Sequence, residues 1–122
     1  MHVLRNMVGA VKPGGLVLDL QVIRPDPVVE SDGAVVCTID GEPLFRTADA
    51  AAAAIDAMVA GGRLIEEAVD DHDVRKHYAN GRELVDDFAG KRRRLSDEEA
   101  VRALARPCVV RERCRLRRLL AA

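Results

Sequence analysis

Between Leu16 and Ile23 the chain packs six large aliphatic side chains into eight residues. Lys12-Pro13-Gly14-Gly15 stands immediately before this run and Arg24-Pro25-Asp26-Pro27 immediately after it. Proline pushes its predecessor out of the α region and glycine accepts turn dihedrals at no steric cost, so both ends are hard stops. A dense apolar run between such stops reads as a strand covered on both faces, at the centre of a sheet flanked by helices. Burying the six side chains is worth about 10 kcal/mol. Upstream, Val3, Leu4, Met7, Val8 and Val11 recur at helical spacing and predict a short amphipathic helix leading into the turn. No Ser, Thr or Asp caps that helix, which reads either as a frayed terminus or as one cut into from further upstream.

A chain of 122 residues is expected to form a single domain, 1–122. No run reaches the eighteen apolar residues of a membrane span, and the N-terminus lacks the layout of a signal peptide, so no membrane partner and a cytoplasmic location are expected. Cys37, Cys108 and Cys114 are odd in number and lack CxxC spacing; they read as reduced small hydrophobes, with no metal site. The net charge of −1 hides a division. Residues 91–118 hold eleven Lys/Arg against four Asp/Glu, or +7, and the remainder carries −8. Either the two parts face each other, or the basic part meets an anionic partner.

Along the chain, Asp32-Gly33 between Val28-Val29-Glu30-Ser31 and Ala34-Val35-Val36-Cys37 predicts a hairpin with a type I′ turn. Asp40-Gly41 reads as a second reversal before Glu42-Pro43-Leu44-Phe45. Thr47 is the expected N-cap of a helix over Ala48–Ala60, stopped by Gly61-Gly62. A strand over Arg63–Val69 runs into Asp70-Asp71-His72-Asp73 and resumes beyond a bulge. Asn80 with Glu83 predicts a capped helix ended by Gly90, and Ser96 with Glu99 opens a short one broken at Arg106-Pro107. Last, Cys108–Leu119 alternates as a strand, with Cys108, Val110, Cys114 and Leu116 on one face and Arg111, Arg113, Arg115 and Arg117 on the other.

The wording Val11-Lys12-Pro13-Gly14-Gly15 followed by an apolar strand resembles class I S-adenosylmethionine-dependent methyltransferases. There a Leu/Val-x-Pro-Gly-Gly turn joins a helix to the fifth strand. The order of elements that follows is similar to that family's C-terminal half, in which the final strand inserts antiparallel between the fifth and sixth. The resemblance implies an α/β fold: a partial Rossmann-like methyltransferase sheet, with a central apolar strand, an antiparallel C-terminal strand pair, flanking helices and an inserted β-hairpin. It covers nearly the whole chain in order of elements, and Val11–Ile23 in wording.

The family's cofactor motifs, a Gly-rich turn after the first strand and an acid ending the second, have no counterpart here. Gly14-Gly15 and Gly61-Gly62 both precede strands, so no residue is carried over as a cofactor ligand. The resemblance implies a substrate-side half of an enzyme that moves a methyl group from S-adenosylmethionine to a small-molecule acceptor, inactive as an isolated chain. Gln21 and Arg24, at the carboxyl end of the central strand, and Phe45, at the return of the hairpin, are its candidate acceptor-binding residues. His72 is the candidate general base. The expected partner is a second copy or a chain carrying the missing N-terminal half.

Two readings compete for the arginine face. One is a non-catalytic module binding nucleic acid or another anionic partner, which the scarcity of aromatic side chains disfavours. The other is a cross-strand ion ladder against Glu67, Asp71 and Asp73.

Overall fold

The computed structural model of the chain describes residues 12–122. The expected helix through Val3–Val11 lies outside the described residues. Among the described residues the fold is α/β: three helices and a five-stranded antiparallel sheet. The strands are β1 (Leu16–Val22), β2 (Val28–Ser31), β3 (Ala34–Thr38), β4 (Leu64–Tyr78) and β5 (Cys108–Ala121). The helices are α1 (Glu42–Ala60), α2 (Gly81–Lys91) and α3 (Glu98–Arg102). Within the sheet β5 pairs with β1, β2 and β4, and β2 pairs with β3.

Two compact units share these elements. Unit one takes residues 12–23, 44–72 and 114–122; unit two takes 24–43 and 73–113.

In unit one, β1 runs antiparallel to β5, from Leu16 opposite Leu120 to Val22 opposite Cys114. Its core joins Val17, Leu119 and Leu64 from the strands to Ile55 and Met58 from α1. The expectation that β1 is a central strand covered on both faces is corrected here. Val17 is buried, but Leu16, Leu18 and Leu20 are 45%, 56% and 55% exposed. The reason is the supply of partners: β5 lies along one edge and α1 covers one face, while no other described strand pairs with β1. α1 is also longer at its start than the sequence suggests. Asp40, not Thr47, caps it, its Oδ1 accepting from the Glu42 N–H at 3.1 Å. Pro43 then falls in the first turn, where its missing N–H costs nothing, so Asp40-Gly41 leads directly into a helix.

In unit two, the hairpin forms as expected. Asp32 and Gly33 have φ of +53° and +76°, both central positions of a type I′ turn. Its core gathers Val29, Cys37, Ile39, Tyr78, Leu84, Val85, Phe88, Val101, Cys108 and Val110. Asn80 caps α2 as expected, accepting from Glu83 N–H at 2.9 Å. Two terminations differ. Arg92, with φ of +55°, closes α2 two residues past Gly90. At α3 the cap is Asp97, because the Ser96 hydroxyl is taken by the Thr38 N–H at 2.9 Å. β4 is one strand of fifteen residues, so the Asp70–Asp73 cluster lies inside it and not at a strand end.

Candidate functional site

The faces of β1 decide where a site forms in unit one. Val17, Asp19 and Gln21 point to the α1 side, opposite Leu119, Arg117 and Arg115 of β5. Towards the carboxyl end of β1 that face therefore changes from apolar to charged. On α1, Ala48 and Ala52 are one turn apart, and their short side chains leave room above the strands. The result is a cavity of about 300 Å³. Asp19, Gln21, Val22 and Ile23 form one wall, Ala48, Asp49, Ala52 and Asp56 a second, and Glu66, Val69, Arg115 and Arg117 complete it. This is the carboxyl end of β1.

Its two guanidiniums are already engaged. Arg117, only 9% exposed, donates through Nε to Glu66 at 2.7 Å and through Nη2 to Asp56 at 2.8 Å. Arg115 makes a bidentate pair with Asp71 at 2.8 and 2.9 Å. That geometry, which fixes both position and orientation, raises the arginine's affinity for its proton. Gln21 Nε2 donates to Asp19 at 3.0 Å.

Of the residues proposed from sequence, Gln21 lines this cavity. Phe45 does not: it is 3% exposed, a core side chain of α1 and not a residue at the return of the hairpin. Arg24 belongs to unit two, half exposed, 3.6 Å from Glu42. His72 stands on β4 with Nδ1 3.0 Å from Asp70 Oδ2, without the alignment of a hydrogen bond, and it is not part of the cavity lining. Sequence reasoning missed Asp49, Asp56 and Glu66, and read Arg117 only as part of the arginine face. Asp56 carried a signal, an acid beside the buried Ile55 in an alanine-rich helix.

The ion ladder is present in part as expected. Within unit two Arg113 donates to Asp73 at 3.3 Å, and Arg111 to Glu30 at 2.5 Å. Within unit one Arg115 meets Asp71, whereas Glu67 binds Arg118 at 2.7 Å. Every arginine of β5 thus faces a carboxylate. Cys37, Cys108 and Cys114 are buried thiols, and burial pushes the Cys108 thiol up. Among the described residues no group of three His, Cys, Asp or Glu side chains is arranged to hold a metal ion. Nor is any described helix long and apolar enough to cross a membrane.

No protein-family model, curated protein or solved structure matches the chain.

Proposed function

We propose that unit one is the substrate-side, C-terminal part of a Rossmann-like methyltransferase fold, and that its cavity receives a small-molecule methyl acceptor. One observation carries the reading. β1 and β4 are joined through the β2–β3 hairpin and α1, and both pair with β5, the last strand of the chain. Along Cys114–Leu120, where β5 pairs with β1, its Arg115, Arg117 and Arg118 reach Asp71, Glu66 and Glu67 of β4, which supports a last strand lying between the two. That arrangement, preceded by Lys12-Pro13-Gly14-Gly15, is similar to the C-terminal half of class I methyltransferases. The cavity at the carboxyl end of β1 suits acceptor positioning, the main requirement for in-line displacement at a sulfonium methyl. Three cysteines buried as thiols fit a reducing compartment such as the cytoplasm.

S-adenosylmethionine is the methyl donor of this reading, and its binding residues belong to a separate segment or chain, since no glycine turn follows a strand in the way that would cradle it. Isothermal titration of S-adenosylmethionine into the chain is the test, with no low-micromolar binding expected. One-to-one binding in that range would overturn the division of roles. The coding frame upstream of Met1 gives a second check: a Gly-rich strand–turn–helix encoded there is the expected source of the cofactor site. The ion pairs along β5 weigh against the alternative, a nucleic-acid module, because an incoming phosphate would have to displace a carboxylate at each arginine.

A further inference from the structure

The charge of the unit-one cavity points to the chemical class of its ligand. Four carboxylates line it, Asp19, Asp49, Asp56 and Glu66, against two guanidiniums, Arg115 and Arg117. Both guanidiniums are already held. Asp71, outside the lining, chelates Arg115, and Arg117 is clamped between Glu66 and Asp56 with its side chain 10% exposed. An anion entering the cavity meets no uncommitted cation and an excess of negative charge. A cation meets that excess directly, and the partly enclosed walls strengthen it over bulk water. Val22, Ile23, Val69, Ala48 and Ala52 supply an apolar lining for methylenes. At about 30 Å³ for each water displaced, the volume holds about ten non-hydrogen atoms.

We infer that the cavity binds a small organic cation, an alkylammonium or alkylguanidinium compound of about that size. Naming this ligand a methyl acceptor rests on the functional reading above; its binding does not.

The test is an NMR titration of the ¹⁵N-labelled chain with agmatine, which carries both cationic groups on a four-carbon stem, and with valerate as the anion of similar apolar content. Saturable agmatine shifts confined to Asp19–Ile23 and Ala48–Asp56, with Kd of about 1 mM or tighter, are expected, and no such response to valerate. Asp19→Asn should weaken agmatine about fivefold. Ala52→Leu, which fills the cavity from α1 and leaves its charges in place, should abolish binding, and it decides the matter should Asp19→Asn not fold. Absence of localised shifts, an equal response to valerate, or unchanged affinity in Ala52→Leu overturns the inference. The titration contains no S-adenosylmethionine, so the two readings fail separately. Agmatine binding without methyl transfer in a complemented enzyme removes the methyltransferase reading alone. Methyl transfer to a neutral or acidic acceptor, without agmatine binding, removes the cation site alone.

Discussion

The hydroxyl of Tyr78 donates to Asp87 Oδ2 at 2.5 Å, tying the last residue of β4 to the middle of α2 within unit two. The same oxygen accepts from Lys91 Nζ at 3.0 Å and Lys76 Nζ at 3.3 Å. With the Tyr78 hydrogen bond the largest contribution, these donors hold the Asp87 carboxyl down to about 2. Tyr78 moves the other way, raised first by burial and then by its bond to Asp87.

The pH dependence of stability follows from those directions. Asp87 is depressed below its unfolded value, so its contribution is complete above about pH 5 and is lost as pH falls towards 2. Tyr78 is raised, so its contribution is complete below about pH 9 and is lost as pH climbs past its unfolded value near 10. Tyr78→Phe removes the donor that depresses Asp87 most. The Tm difference between wild type and Tyr78→Phe should be widest near neutral pH and narrow on the acid side. Thermal melts followed by circular dichroism from pH 2 to 7 check it; a difference independent of pH would show that the hydroxyl does not act through Asp87.

Arg117 and Arg115 have carboxylate partners at similar distances, and burial separates them. Truncating Arg117 leaves Glu66 and Asp56 facing each other beside the core, and Arg117→Ala should cost about 3 kcal/mol, at the low end for a buried pair because Asp56 is well exposed. Arg115 is half exposed, and Arg115→Ala should cost about 0.5 kcal/mol. Urea unfolding measures both, and equal losses would contradict the argument from burial.

Charge reversal at the same ladder distinguishes structure from nucleic-acid binding. Arg115→Glu sets a carboxylate against Asp71. The resulting loss of stability should shrink as ionic strength rises from about 0.1 M to about 1 M and the screening length falls from about 10 to 3 Å. Unchanged stability together with lost retention on heparin would restore the nucleic-acid reading.

Gly81 and Gly90 sit on the same helix and should respond oppositely to alanine. A Cβ on Gly81 would lie 1.6 Å from the Val101 carbonyl oxygen and 2.7 Å from its carbon, both backbone atoms. Gly81→Ala therefore forces α2 away from α3 and should cost about 3 kcal/mol or more. A Cβ on Gly90 meets nothing within 4 Å, and Gly90→Ala should stabilise by up to about 1 kcal/mol. Denaturant midpoints of the two variants give the comparison.

What the sequence made legible was local. Asp32-Gly33, Asn80 with Glu83, and the alternation of β5 were readable because each signal and its consequence lie within a few residues. Where a distant residue decided the outcome, the reading failed. Ser96 has the chemistry of a cap, but its hydroxyl oxygen accepts from the Thr38 N–H, fifty-eight positions away. Phe45 looked like a substrate contact until Asp40 claimed the helix start and turned the ring into the core. The cavity was half legible: the polar Asp19 and Gln21 interrupt an apolar run. Its opposite wall depends on which face of α1 meets β5, which no spacing in one element reveals. Leu16–Ile23 misled for the same reason, since hydrophobicity records what a strand would bury and not what is there to bury it.

That strand sets the last expectation, the state of association. Leu16, Leu18 and Leu20 stand on the face of β1 away from α1, opposite Leu120, Arg118 and Leu116 on β5, and Ile65 is exposed on β4. Arg118 is paired with Glu67, so even the charge on this face is partly neutralised. No other described strand pairs with the free edge of β1. Asp19 and Gln21 point to the opposite side, into the cavity, and do nothing to guard that edge. Exposed leucines beside unpaired backbone groups attract another polypeptide, because one contact relieves both. The chain is therefore expected to self-associate at micromolar concentration or to bind another polypeptide. Sedimentation equilibrium should give a mass above the monomer, and Leu18→Lys should bring it down while leaving the circular dichroism spectrum unchanged, since that side chain makes no core contact. A sharp monomer mass for the wild type, with cooperative unfolding, would mean that the leucine face is tolerated in water, and the expectation of association would fail.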